Sequence, residues 1–359
     1  MIRRLFTGLL ASVLLLVLGC KEPGGGSSGG TTGVALYAFD STSNQVLVWK
    51  DLNALYDSAT AVAPTYQITS SLFSKATSLA WGGLCFDSQR GNLYLVSDTG
   101  TIVRVSNIRT QTGSVPNAEV VSFALSSTGR LTNGKFGQAS LDAQNDTLYI
   151  TENGDNSTQI WIVANASSQS QDASIALQSL QMSSDTGGTG VAAASGAVYA
   201  FMLDGGTVGI DALTGPRLRK GTASGFVTTN VILGSLTTLG KYGSLALDTG
   251  NGYLFVARHN TDTASTATPI QVFRTGQFGL SYNQAPFSTL GSAADQADLR
   301  VLSHPGTKDW LVGLRGNGTT GYNTIYIWKA PLSGTAAKAI TVTPAGAVVK
   351  GVAVDGNAS

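Results

Sequence analysis

A short apolar run ending in Asp or Ser returns six times along the chain, and this period is its most constraining feature. The copies are Leu84-Cys-Phe-Asp87, Ala139-Ser-Leu-Asp142, Val191-Ala-Ala-Ala-Ser195, Leu245-Ala-Leu-Asp248, Leu299-Arg-Val-Leu-Ser303 and Val352-Ala-Val-Asp355. Their last residues lie 55, 53, 53, 55 and 52 positions apart. A fixed period of this length means a unit that cannot bury its own apolar surface and must pack against copies of itself. Turns of Gly, Asn, Asp or Pro follow, and then a second apolar run: Leu93–Val96, Leu148–Ile150, Val198–Phe201, Tyr253–Val256 and Trp310–Val312. Such turn residues between apolar runs predict hairpins. A third run comes next in each unit, at Ile102–Val105, Ile160–Val163, Val208–Ile210, Ile270–Phe273 and Ile325–Trp328. The fourth is looser, at Glu119–Phe123, Ile175–Leu177, Phe226–Ile232 and Ile340–Val342.

The two ends of the pattern fit one another. It opens at Leu36–Phe39 with a second-type run, continues at Val46–Trp49 with a third, and lacks a first. It closes with a first-type run, ending at Asp355, and nothing after it. The fragments complete one unit, which removes the open edges of a ring. The expectation is an all-β, six-bladed β-propeller over residues 34–359. Its blades are four-stranded and antiparallel, and its C-terminal strand pairs with the N-terminal blade. Residues 51–58 have room for a turn or two of helix, and an extra element within 64–78 would alter the count.

The first residues read as an address. Arg3 and Arg4 precede an apolar stretch from Leu5 to Leu18, too short to span a bilayer comfortably. The stretch ends in Val17-Leu-Gly-Cys20, which resembles the lipobox of bacterial lipoproteins. That resemblance implies a signal peptide at 1–19, a lipid on Cys20 and an anchor in the cell envelope. Lys21, with no aspartate after the cysteine, favours the outer membrane over the inner. Residues 20–33 are dominated by Gly and Ser, a flexible tether. A G-x-S-x-G pattern within it lacks the strand and helix a nucleophile needs.

The recurrent pattern resembles the broad NHL, TolB and YncE-like group of propellers across residues 34–359. The group includes binding modules, scaffolds and some enzymes, so the resemblance implies a fold and little chemistry. It is not the WD40 or kelch rhythm, which has a Trp-Asp ending or a recurrent Gly-Gly.

Composition narrows the function classes. Charged residues make up 12% of the chain, against about 25% in ordinary domains. A net charge of +1 gives no electrostatic footprint for nucleic acid. Cys85 is the only cysteine besides Cys20, so no disulfide is expected within the propeller. Two histidines and no His/Cys cluster argue against a transition-metal site. His304 lies in a Ser-His-Pro-Gly turn. A Walker-like stretch at 129–135 has Phe136 where magnesium would need Ser or Thr.

In a propeller, the loops joining second to third strands and the crossings between blades are where ligands meet the protein. The scarce charge gathers there, in Glu152, Asp155, Arg258, His259 and Arg315. Lys135, Lys241 and Lys350 enter three first strands and would ring one channel mouth, which would favour an anionic group. Two readings stay open. One is a non-enzymatic binding or scaffold propeller whose partner is an envelope protein, a glycan or a small anionic ligand, with no cofactor. The other is a hydrolase or lactonase-like enzyme holding Ca2+ or another divalent ion on Asp98, Glu152, Asn153, Asp155 and Asn260.

Overall fold

The computed structural model describes residues 33–358, except 156, 184–189, 205–214, 238, 240–241, 260–269, 281, 292–298, 308–309, 316–323, 330–331, 333–337 and 343–345. Cys20, the signal segment, the tether, Lys241, Asn260 and the run at 208–210 lie outside the described residues. Six sheets form six blades. From the inside outward, blade 1 is Val349–Ala358, Gly33–Asp40, Gln45–Trp49 and Tyr66–Thr69. Blade 2 is Leu79–Phe86, Leu93–Ser97, Thr101–Val105 and Val120–Leu125, and blade 3 is Lys135–Asp142, Thr147–Asn153, Thr158–Ala164 and Ser179–Ser183. Blade 4 is Val191–Ala194, Ala197–Asp204, Gly215–Thr222 and Gly225–Leu233. Blade 5 is Tyr242–Asp248, Tyr253–His259, Ile270–Arg274 and Ser288–Leu290, and blade 6 is Leu299–Ser303, Trp310–Arg315, Thr324–Lys329 and Lys338–Val342. The chain's last strand closes the ring, with Leu36 opposite Val354 and Asp40 opposite Val349.

Most second and third strands carry a central apolar run because each blade is covered on both faces. Gln45–Trp49 and Leu93–Ser97 are buried at every residue. Buried clusters sit between neighbouring blades. Tyr94, Val96 and Phe123 of blade 2 interleave with Leu148, Ile150 and Trp161 of blade 3. Leu36, Leu47 and Trp49 of blade 1 meet Val312, Ile325 and Ile340 of blade 6. Burial at about 25 cal/mol per Å² of apolar surface makes these interfaces, rather than any single blade, the source of stability.

Short straps tie blade to blade on the outside. The link between the third and fourth strands of blade 2 lays Gly113–Ser114 in parallel on the outer strand of blade 1. Blade 3 does the same to blade 2 with Ser174–Ile175, and blade 1 to blade 6 with Ala61–Val62. The sequence run at Ile175–Leu177 is therefore not the fourth strand of blade 3, which is Ser179–Ser183. Its apolar character comes from Ile175 packing into the interface of blades 2 and 3. The third strand of blade 4 is Gly215–Thr222. The segment 64–78 holds the fourth strand of blade 1 and a 3-10 helix, Ser71–Ala76, so the count stays at six. Leu52–Asp57 is a short helix capped by the Asp51 carboxylate.

Candidate functional site

The inner strands of all six blades line a central cavity of about 330 Å³. Gln138, itself buried, crosses it. Its Nε2 donates to the Leu245 carbonyl at 2.6 Å, and its Oε1 accepts from the N–H groups of Leu245 and Val191 at 2.9 and 3.2 Å. One side chain thereby joins blades 3, 4 and 5. Gly82, with φ +72°, allows the close approach, since a Cβ there would stand 3.1 Å from the Gln138 Cγ. Away from Gln138 the cavity reaches the turns between first and second strands, at Ser88, Gln144, Thr249 and Pro305.

The recurrent Asp and Ser residues stand at that mouth, and their oxygens bind the protein itself. Asp142 accepts from the Asn145 side chain at 2.7 Å, and from the N–H groups of Ser195 and Gly196 in the next blade at 3.0 and 2.6 Å. Asp355, fully buried, takes a bidentate pair from Arg109 of blade 2 at 2.7 and 2.9 Å. That contact raises the Arg109 pKa. Asp87 accepts from the N–H groups of Gln89 and Arg90, both at 3.0 Å. Ser140, Ser244 and Ser303 receive the N–H groups of Ala193, Leu302 and Val354, each in the following blade. The period that marks the fold is thus a ring of clamps between inner strands.

His304 belongs to the same ring. Its Nδ1 accepts from the Gly306 N–H at 2.9 Å, its ring stacks on Phe255, and its Nε2 lies 3.7 Å from an Asp248 oxygen. Cys85 lines the cavity wall, where burial, with Asp87 adding to it, pushes its thiol pKa up.

The loop face expected to meet ligands is the other one. Lys135 is exposed there, and its Nζ lies 3.9 Å from Asp98, whose carboxylate offsets its charge. Asn153 stands opposite Lys135 in the ladder, so Asp98, Lys135 and Asn153 come together. Asp155 accepts from the Asn133 side chain, and Asn153 from the Thr158 hydroxyl. Lys350 is partly buried at the start of the closing strand. Arg258 and His259 end their strand opposite Gly243 and Tyr242, and Arg315 ends its own opposite Leu299.

Glu152 is the exception in this group, being fully buried. One oxygen accepts from Trp161 Nε1 at 2.6 Å and Gln159 Nε2 at 2.7 Å. The other accepts from Arg130 Nε at 3.2 Å and the Leu131 N–H at 3.3 Å. The start of the Walker-like stretch 129–135 is wrapped around this carboxylate, and a Cβ on Gly134 would collide with it. The described residues contain no group of three or more His, Cys, Asp or Glu able to hold a metal ion.

A further surface was not read from the sequence. Beyond the third strand of blade 5, Leu280 and Tyr282 are 76% and 50% exposed, and Leu236 of blade 4 is 54% exposed. The Leu233 N–H donates to the Tyr282 carbonyl and the Leu236 N–H to Asn283 Oδ1, which ties the Leu236 turn of blade 4 to the Tyr282 segment of blade 5. Their only sequence signal is apolar residues in a Gly- and Asn-rich stretch outside any repeat.

No family model matches the chain, and no curated protein matches it. Solved structures do. A chain of the nidogen/laminin complex is 12% identical with a TM-score of 0.52, over 90% of this chain and 98% of that one. A gluconolactonase from Xanthomonas campestris is 13% identical with a TM-score of 0.41, over 74% and 77% of the two chains. Hydrazine synthase from Kuenenia stuttgartiensis is 11% identical with a TM-score of 0.38, over 70% and 64%. The first likeness shows the propeller fold; the other two carry no argument.

Proposed function

We propose that this chain is a non-enzymatic binding propeller of the cell envelope that presents a protein-binding rim. The observation that carries this reading is the exposure of Leu236, Leu280 and Tyr282 on two segments that the Leu233–Tyr282 and Leu236–Asn283 hydrogen bonds join. Apolar side chains gathered in this way mark protein contacts more often than they mark nothing. Tyrosine and leucine give a partner area to bury, and a low charge nearby costs little to desolvate. The lipid on Cys20 and the Gly/Ser tether would hold this rim within reach of envelope proteins.

Crosslinking in intact envelopes tests the reading. A partner captured by the wild type should be lost with Leu280→Glu plus Tyr282→Ser, while the melting temperature stays put. Capture that ignores both substitutions would remove the rim from the proposal. Hydrolysis of an ester or lactone by the purified chain, dependent on calcium and abolished by EDTA, would replace it with the hydrolase reading. Fatty-acid labelling that persists in Cys20→Ser would remove the anchor.

A further inference from the structure

Among the described residues, the outer edge of blade 3 carries no strap although the fold calls for one, while the link that would cover blade 5 lies largely outside them. Blades 1, 2 and 6 each carry a parallel two-residue strand on the outer edge, supplied by the next blade in the ring. Blade 4 is covered at the same position by the Tyr282 carbonyl of blade 5. The strap for blade 3 would come from the link between the third and fourth strands of blade 4. That link is two residues, Ala223 and Ser224, in a tight hairpin with Thr222 opposite Gly225. It is too short to reach the neighbouring edge, and among the described residues no segment pairs with Ser179–Ser183 on that side.

The edge has the geometry that accepts a strap. In blade 2, the Ala124 N–H donates outward to the Ala173 carbonyl, and the Ser122 carbonyl accepts outward from the Asp172 N–H. In blade 3, the Ile162 N–H bonds to the Gln178 carbonyl, and Leu180 stands opposite Ile160. Alternation along an antiparallel ladder then turns the N–H and C=O of Ser179 and Gln181 outward. Gln181 faces Gln159 as Ala124 faces Thr101, so the registers correspond. The apolar anchor is partly in place as well. Elsewhere the straps insert Val62, Val115 or Ile175 between blades. Here Phe226 of the hairpin packs into the interface instead, while Val227 beside it and Leu177 before the strand stay exposed.

We propose that the outer edge of blade 3 binds an extended segment of a partner protein, added as a parallel fifth strand. The straps indicate its chemistry: uncharged, with small and β-branched residues in the register of Ser174–Ile175. Main-chain bonds to Ser179 and Gln181 would supply affinity, and the exposed Leu177 and Val227 would cover its side chains. This surface is separate from the rim at Leu280, and each can fail alone.

The probe is a fluorescein-labelled peptide of residues 171–177, Gln-Asp-Ala-Ser-Ile-Ala-Leu, titrated into the full chain. Saturable binding is expected, at least tenfold weaker in Gln181→Pro and unchanged in Leu280→Glu. Proline at 181 removes only an outward N–H, so the variant should melt with the wild type. If it does not, a second variant serves, with residues 170–177 grafted between Thr222 and Gly225. That graft should fill the edge in cis, raise the melting temperature and block the peptide. No binding to the wild type, or equal binding to the graft, overturns the proposal. A wild-type dimer that Gln181→Pro makes monomeric overturns it too, because a second copy would then hold the edge.

Discussion

Glu152 shows how a carboxylate can look like chemistry in a sequence and be structure in the fold. The sequence makes it a candidate ligand for a divalent ion, together with Asp98, Asn153, Asp155 and Asn260. In the structure four donors surround it, Trp161 and Arg130 among them. Removing the carboxylate leaves these buried donors unpaired, and a lone buried donor costs about 1–3 kcal/mol. Glu152→Ala should therefore lose about 3–5 kcal/mol in urea unfolding, the range for breaking a buried pair, and shift the Trp161 emission. Glu152→Gln keeps the shape and should lose less. A stability unchanged in both would show that the cage is slack. The buried tyrosines give a pH dependence of known sign. Burial raises the pKa of Tyr37, Tyr94 and Tyr149 above the ordinary 10.0, with the Asp355, Asp87 and Asp142 carboxylates respectively adding to it. The folded state thus favours the protonated phenols. That stability is complete below pH 10 and falls as the pH rises beyond it. The phenolate absorbance of these three should appear only in step with unfolding above pH 10; its full appearance in the native state would contradict it.

At the scale of elements, what could be read was what two-sided burial writes into the chain. Leu93–Val96 and Ile160–Val163 are apolar on both faces because blades press on both, and such runs stand out against the polar turns. The inner strands could be read because each ends in Asp or Ser, and Asp142, Ser303 and Asp355 use that residue to clamp the next blade. The straps could not, since a two-residue pairing has no period, and Ile175 looks like any strand residue. Nor could Gln138, whose importance comes from where the ring places Leu245 and Val191 around it. The strap of blade 3 depends on Arg104, buried in blade 2, whose Nη1 donates to the carbonyls of Ala166, Ser167 and Gln169. Arg104→Ala should cost about 1–3 kcal/mol through those orphaned carbonyls. It should also speed amide exchange at Ala124 and Ser126, which donate into the strap. Unchanged exchange at both amides would mean the strap is held by packing alone.

For the whole molecule, the decisive contact is the one between its ends. Repeats that touch only their neighbours give stability as a sum of interfaces, and an open row has one interface fewer than a ring. Val349–Ala358 supplies the innermost strand of blade 1, and Val352 and Val354 pack into the interface with blade 6. The same strand carries Asp355, so Arg109 of blade 2 loses its partner when the strand is gone. Truncation after Pro344 would uncover the edge of Gly33–Asp40 and open both interfaces of blade 1 together. The expected outcome is a melting temperature lower by tens of degrees, or aggregation on expression. Asp355→Ala should separate the two causes. It removes the clamp but leaves the strand, and a buried ion pair broken on one side costs about 3–5 kcal/mol, less here because Arg109 is partly exposed. If the point variant alone reproduced the truncation, the ion pair would be the latch. A truncated chain that melts with the wild type would mean the five complete blades hold without closure.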